Sequence, residues 1–215
     1  MFYEILDKPR RDLLPNFSKL KDSFYLAGGT ALALYLGHRD SIDFDFFSPI
    51  EFSTAVLFSQ LEEILKGHSL LRIQEEKNTL TLLVNSEIRI SFFYYSAPLL
   101  EPLLDEENLK IASIIDIASM KLSAIVSRSV NKDYVDLYYI LQSISLNKLL
   151  KQVKVKLPSL DENLILKSLV YFEDMQIEPL SFQQDKKVPM ETVKYFLVQQ
   201  VKEYNRRQLS APQGT

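Results

Sequence analysis

Cysteine is absent from the 215-residue chain. Its absence excludes disulfides, thiolate zinc sites and thiol nucleophiles, and agrees with a reducing cytoplasm. No apolar run approaches the roughly 18–20 residues needed to span a membrane. The start, Met1-Phe2-Tyr3-Glu4, has no basic segment followed by an apolar one, so no signal peptide is expected. An excess of one charge is also lacking. The formal net charge of −3 gives no global electrostatic case for nucleic acid, although it leaves room for a local basic patch. No internal repeat or low-complexity tract is visible. What remains is ordinary for a globular protein, with 47% hydrophobic and 25% charged residues. The length suffices for one large domain or two small ones with a true core.

The first half alternates strand-like and helix-like pieces. Residues 23–27 form a short apolar strand that Gly28-Gly29 breaks. Residues 30–36 read as a helix, with Leu32, Tyr35 and Leu36 at helical spacing and Gly37 near its end. Residues 42–47 alternate as a strand, and residues 53–66 read as a helix capped by Ser53 or Thr54. Three more strands are expected at 70–74, 80–84 and 88–95, the last two joined by a hairpin turn at Asn85-Ser86. The second half changes character. Residues 113–128 carry an amphipathic stripe of Ile114, Ile117, Ala118, Leu122 and Ile125, with Ser113 as N-cap. Further helices are expected at 131–142, 146–155, 162–172 and 190–206. A polar, proline-punctuated loop is expected at 173–189, and a frayed end at 210–215. The fold class is therefore α+β: a mixed sheet with flanking helices in residues 1–105, then a helical region in residues 106–215.

Two elements carry chemistry. Gly28 and Gly29 lack a Cβ, so a phosphate can approach the backbone, and the following helix offers unpaired N–H groups and the positive end of its dipole. Thr30 adds a hydroxyl. By itself this is also how a tight strand-to-helix turn looks. The second element is Asp43-Phe44-Asp45. Residues i and i+2 of a strand share a face, which puts the two carboxylates together and sends Ile42, Phe44 and Phe46 the other way, into a core. Adjacent carboxylates on a buried strand repel and lose hydration, and a cation between them relieves both costs. Mg²⁺ (or Mn²⁺) suits such a site, because it is often held by one or two carboxylates plus substrate phosphates. The alternative is a pair of acids on a solvated face, which the flanking Phe44, Phe46 and Phe47 disfavour. Between the two elements lie His38, Arg39 and Ser41. Arg39 can hold a phosphate oxygen through its guanidinium fork, whereas His38 reads equally as a loop-packing residue.

The run Leu26-Ala27-Gly28-Gly29-Thr30-Ala31-Leu32-Ala33-Leu34, then Gly37-His38-Arg39, Ser41 and Asp43-Phe44-Asp45-Phe46-Phe47, resembles the nucleotidyltransferase AbiEii/AbiGii toxin family. A second block follows in the family's order: Asp116 to Ile125, then Arg128, then Lys132-Asp133-Tyr134-Val135-Asp136-Leu137-Tyr138. The resemblance covers about residues 20 to 145 and implies a DNA polymerase β-like nucleotidyltransferase fold. It also implies that Lys121 and Asp136 complete the site from the helical half. Lys121 and Arg128, seven residues apart, can share a helix face toward phosphates. Asp133 and Asp136 are neighbours on the next helix, and either one can orient Lys121 or act as a base. The competing reading is an ion-pair cluster joining two helices. One departure stands out. Such folds commonly set a third carboxylate on a later strand, but here Arg89-Ile90-Ser91-Phe92-Phe93 puts Ser91 in its place. Glu87 has the right parity but lies about 13 Å further along, at roughly 3.3 Å per residue.

The expected function is metal-dependent transfer of a nucleoside monophosphate from a nucleoside triphosphate to an acceptor hydroxyl. The resemblance implies the toxin of a bacterial toxin–antitoxin pair in the cytoplasm, with RNA such as a tRNA 3′ end as acceptor and an antitoxin protein as partner. The cluster Lys148, Lys151, Lys154, Lys156 and the pair Arg206-Arg207 suit phosphate contact, and suit a solvated helix face as well. A small-molecule or protein acceptor is the alternative. A catalytically impaired nucleotide- or partner-binding protein is another, motivated by Ser91.

Overall fold

The computed structural model describes residues 1–210. The chain divides into two compact units, one ending at Ile117 and the other beginning at Ala118. The first unit opens with helix α1 (Lys8–Leu13), whose N-cap Asp7 accepts from the Arg10 N–H. It continues through strand β1 (Tyr25–Ala27), helix α2 (Gly28–Leu36), strand β2 (Phe44–Ser48) and helix α3 (Thr54–Ile64). Strands β3 (Leu70–Glu76), β4 (Thr79–Val84), β5 (Ile88–Tyr94), β6 (Leu104–Asp105) and β7 (Lys110–Ile111) follow. Together they make a mixed seven-stranded sheet in the order β3-β4-β5-β2-β1-β7-β6. The β4–β5 turn carries positive φ at Asn85 and Ser86, the primed geometry that matches strand twist.

β2 sits inside the sheet, antiparallel to β1 and parallel to β5. An interior strand is covered on both edges, and one face of this strand is fully buried. Phe44 and Phe46 meet the Phe17 ring edge-on at 5.0 and 5.1 Å, and Phe46 stacks on Phe92 at 5.3 Å. Each such ring removed from water contributes about 1.5–3 kcal/mol. Ile42 does not join them. It is 59% exposed, because the strand begins only at Phe44 and Arg10 Nε donates to the Ile42 carbonyl at 2.7 Å. The sheet also extends past residue 105, since β7 pairs with β1 through Leu26 and Ile111.

Helix α4 (Ile114–Ser127) runs across the division between the units. Ser113 caps its start: the Ser113 Oγ accepts from the Asp116 N–H at 3.1 Å and donates to the Asp116 carboxylate at 2.7 Å. The second unit continues with α5 (Asn131–Ile140), α6 (Leu146–Lys156), α7 (Glu162–Ser168) and α8 (Met190–Ser210). Ser145 and Asp161 cap α6 and α7 with their side chains. The proline-punctuated loop is tied down. Asn131 clamps the Glu178 backbone, donating to its carbonyl at 2.9 Å and accepting from its N–H at 3.0 Å. Gln176 also bridges to Val130. Ser210 closes α8, and the rest of the expected frayed end lies outside the described residues. Among the described residues no helix is long and apolar enough to cross a membrane.

Candidate active site and a buried charge cluster

β1 ends at Ala27, directly opposite Asp45 on β2. The chain turns into α2 through Gly28 at φ +71°, a conformation that favours glycine. The space where a Cβ would sit is taken: one built on Gly28 would lie 2.9 Å from Asp45 Oδ2. One on Gly29 would lie 2.7 Å from Arg39 Nη2. The two glycines thus admit a carboxylate and a guanidinium against the backbone at the start of a helix whose N-cap, Ala27, supplies no side-chain hydrogen bond. Thr30 is 1% exposed and its hydroxyl is spent within the chain. It donates to the Asp43 carbonyl and shares a 2.8 Å hydrogen bond with Ser41 Oγ. Its visible work is to hold the loop that carries Asp43. Arg39 is buried and donates to the Asp40 carbonyl at 3.0 Å. His38 is fully buried, as a packing residue would be.

Asp43 precedes β2 by one residue and Asp45 lies on it, both partly exposed. Strand register places Asp45 between Ala27 and Ser91, and Ser91 opposite Thr81. Directly paired residues share a face, so Ala27, Asp45, Ser91 and Thr81 form one row across the sheet. The hydroxyl of Ser91 therefore occupies the place beside Asp45 where a third carboxylate would stand, with Thr81 Oγ1 at 3.4 Å. Glu87 does not substitute for it, since its carboxylate reaches Arg10 at 3.4 Å instead. Among the described residues no group of three or more His, Cys, Asp or Glu gathers to hold a metal. The donors present are two carboxylates and a hydroxyl. These are hard oxygen ligands, and they fit a Mg²⁺ ion that completes its shell with water and substrate phosphate better than a protein-caged ion.

The helical unit holds a different arrangement. Lys121 on α4 donates to Asp133 at 2.7 Å and pairs with Asp136 at 2.6 Å, both on α5. The Lys121 side chain is 6% exposed, and both acids are wholly buried. Arg128, one residue past the end of α4, donates through Nε to Asp133 at 3.2 Å while keeping a side chain that is 55% exposed. Two cations thus meet two carboxylates, and the cluster is formally neutral. The sequence leaves open whether Asp133 or Asp136 orients Lys121; both do. The basic run on α6 is smaller than the sequence suggests. Lys148, Lys151 and Lys154 are exposed, but Lys156 is 1% exposed.

The site-bearing face of the sheet has more on it than the sequence reading names. Phe47 and Phe93 follow Asp45 and Ser91 by two residues on the same strands, and so lie on the same face. The alternation that placed the acids also places these rings, and the sequence reading assigns neither of them a role in the site.

Residues 12–199 match the family model of the nucleotidyl transferase AbiEii toxin, type IV toxin–antitoxin system. The chain is 39% identical over 207 residues to the uncharacterized protein aq_aa25 of Aquifex aeolicus (strain VF5), covering 93% of this chain and 97% of that one. Among solved structures, the fold is similar to MenT4, a nucleotidyltransferase toxin from Mycobacterium tuberculosis H37Rv. That match has a TM-score of 0.63 and 14% identity over 90% of this chain and 80% of that one. JHP933 from Helicobacter pylori matches with a TM-score of 0.55 and 16% identity over 96% of each chain. At such identities the structures speak for the fold, and the family model speaks for the activity class. A strand–Gly-Gly–helix junction facing a carboxylate strand, in a chain matched across nearly all its elements, belongs to the AbiEii family of nucleotidyltransferase toxins.

Proposed function

We propose that the protein transfers a nucleoside monophosphate from a nucleoside triphosphate to an acceptor hydroxyl on RNA, a tRNA 3′ end being one such acceptor. It would act in the cytoplasm as the toxin of a pair, restrained by a cognate antitoxin. The observation that carries this reading is the contact of the Asp45 carboxylate with Gly28 at the start of α2. An acid suited to a metal and the start of a helix meet at one point, as metal and phosphate do in a nucleotide complex. Asp43 and Asp45 are the ligands for Mg²⁺ (or Mn²⁺), which when bound offsets the charge that develops on the phosphate oxygens. Gly28 and Gly29 let the Asp45 carboxylate and the Arg39 guanidinium approach the backbone where α2 begins and a phosphate would meet its amides. Arg39, against Gly29, supplies the fixed positive charge there. Arg128, in the helical unit, keeps a partly exposed guanidinium with its Nε on Asp133. Lys121 and Asp136, which the family resemblance assigns to catalysis, are mutually neutralised in the fold, and this geometry favours a holding role.

One observation favours a second reading, nucleotide binding without turnover: Ser91 in register beside Asp45, where a third carboxylate would complete the metal site. Labelled nucleoside triphosphates, Mg²⁺ and total RNA separate the possibilities. Wild type should label RNA and release pyrophosphate, and Asp43→Ala/Asp45→Ala should fall to background. Equal labelling by both would end the metal-site reading. Label entering a small molecule or a protein but never RNA would end the RNA assignment. Tight nucleotide binding with no pyrophosphate released would leave the binding-only protein.

A further inference from the structure

Beside the row that contains Asp45 and Ser91 lies a second row, one strand repeat away. Phe47 is paired with Tyr25 on one side and with Phe93 on the other. The Phe47 ring stacks on Tyr25 with centroids 6.0 Å apart and lies 5.4 Å from Phe93, and the Tyr95 ring meets it edge-on at 5.8 Å. Four aromatic rings therefore adjoin on the face that carries the acids. Their burial is graded. Tyr25 is 2% exposed, whereas Phe47 and Phe93 keep part of their surface open. Burial and the charge of Asp116 push the phenols of Tyr25 and Tyr95 up, so both stay neutral at physiological pH. The opposite face of the same strands is closed: Phe44, Phe46 and Phe92 are at most 2% exposed. The structure has thus filled its core with one set of rings and left another partly open beside the metal-binding carboxylates.

We propose that Phe47 and Phe93 form the nucleobase platform of this nucleotidyltransferase, stacking the base of the incoming nucleoside triphosphate. The proposal rests on the nucleotide reading given above and extends it to the base. Three observations support it. The rings share the face and the strands of Asp45 and Ser91. They lie about 7 Å from those residues, at two residues along a strand, a separation that a ribose spans between an α-phosphate and a base. A flat, uncharged aromatic surface also suits any of the four bases, since every base has a π-face.

The chain has no tryptophan, which makes the test direct. Phe93→Trp introduces a single reporter. Its emission should be quenched by each nucleoside triphosphate in Mg²⁺ and left unchanged by inorganic tripolyphosphate, which has no base. Phe93→Leu keeps an apolar side chain but removes the stack. It should weaken nucleoside triphosphate binding about tenfold or more while tripolyphosphate binds as to wild type, and Phe93→Tyr should restore the affinity. Triphosphates that bind Phe93→Leu as tightly as wild type would overturn the platform and leave the nucleotide site standing. So would a loss confined to RNA affinity, because the platform would then serve the acceptor. If wild type bound neither triphosphates nor tripolyphosphate, the underlying nucleotide reading would fail with it.

Discussion

The protein contains two gatherings of acids and cations, and they are built in opposite ways. In the helical unit, Lys121, Asp133, Asp136 and Arg128 balance one another, with both carboxylates at zero exposure. In the sheet unit, Asp43 and Asp45 are partly exposed at the start of β2, and two glycines let Asp45 and Arg39 come up against the helix beside them. A buried charge must bring its own counter-charge, because desolvation costs several kcal/mol per ion. A site that is to receive a cation and an anion must keep water access. The contrast favours the second gathering as the proposed place for ligands and the first as a frame.

Four changes break or sharpen that contrast. The largest effect is expected from Lys121→Ala, which removes the buried ammonium shared by two buried carboxylates and should cost about 3–5 kcal/mol of stability. Denaturant unfolding measures it. A variant that unfolds like wild type yet has lost transfer would move Lys121 from the frame into the site. Gly28→Ala comes next. An alanine at φ +71° with its Cβ on the Asp45 carboxylate should cost about 1–2 kcal/mol and displace Asp45, so that Mg²⁺-dependent nucleotide binding weakens more than thermal stability alone explains. Ser91→Asp supplies the missing third carboxylate beside Asp45. It should lower the Mg²⁺ concentration for half-maximal nucleotide binding several-fold, and an unchanged titration would show that the metal lies away from β5. The smallest effect belongs to a control outside both gatherings. The Tyr204 hydroxyl donates to Glu162 at 2.5 Å, and burial followed by that carboxylate pushes its pKa up to about 12. The neutral phenol is the stabilised form. Its contribution is therefore complete below the unfolded value of about 10 and is lost as pH rises through about 12. Tyr204→Phe should cost about 1 kcal/mol at neutral pH, and the difference from wild type should vanish in alkaline melts.

Much of this was legible in the chain because it depends on local period. The i, i+2 spacing of Asp43 and Asp45 and the Gly-Gly break follow from neighbouring residues alone, and so does the capping role of Ser113. What escaped reading depends on distant partners. Ile42 has the parity of a core residue, yet Arg10, 32 residues earlier in the chain, captures its carbonyl before the strand begins. β6 and β7 have two residues each and carry no period to detect. They join the sheet because Ile111 meets Leu26. Lys156 was readable and was read by its charge instead. It follows Leu149 and Val153 at helical spacing, on the stripe that α6 buries.

The hydrogen bond from Thr30 to the Asp43 carbonyl has a mechanical consequence. Thr30 belongs to the helix at whose start a phosphate is proposed to bind, and Asp43 to the loop proposed to grip the metal. One hydroxyl rivets the two, and Ser41 braces the joint. The helix start and the acid loop are therefore fastened to each other before any ligand arrives.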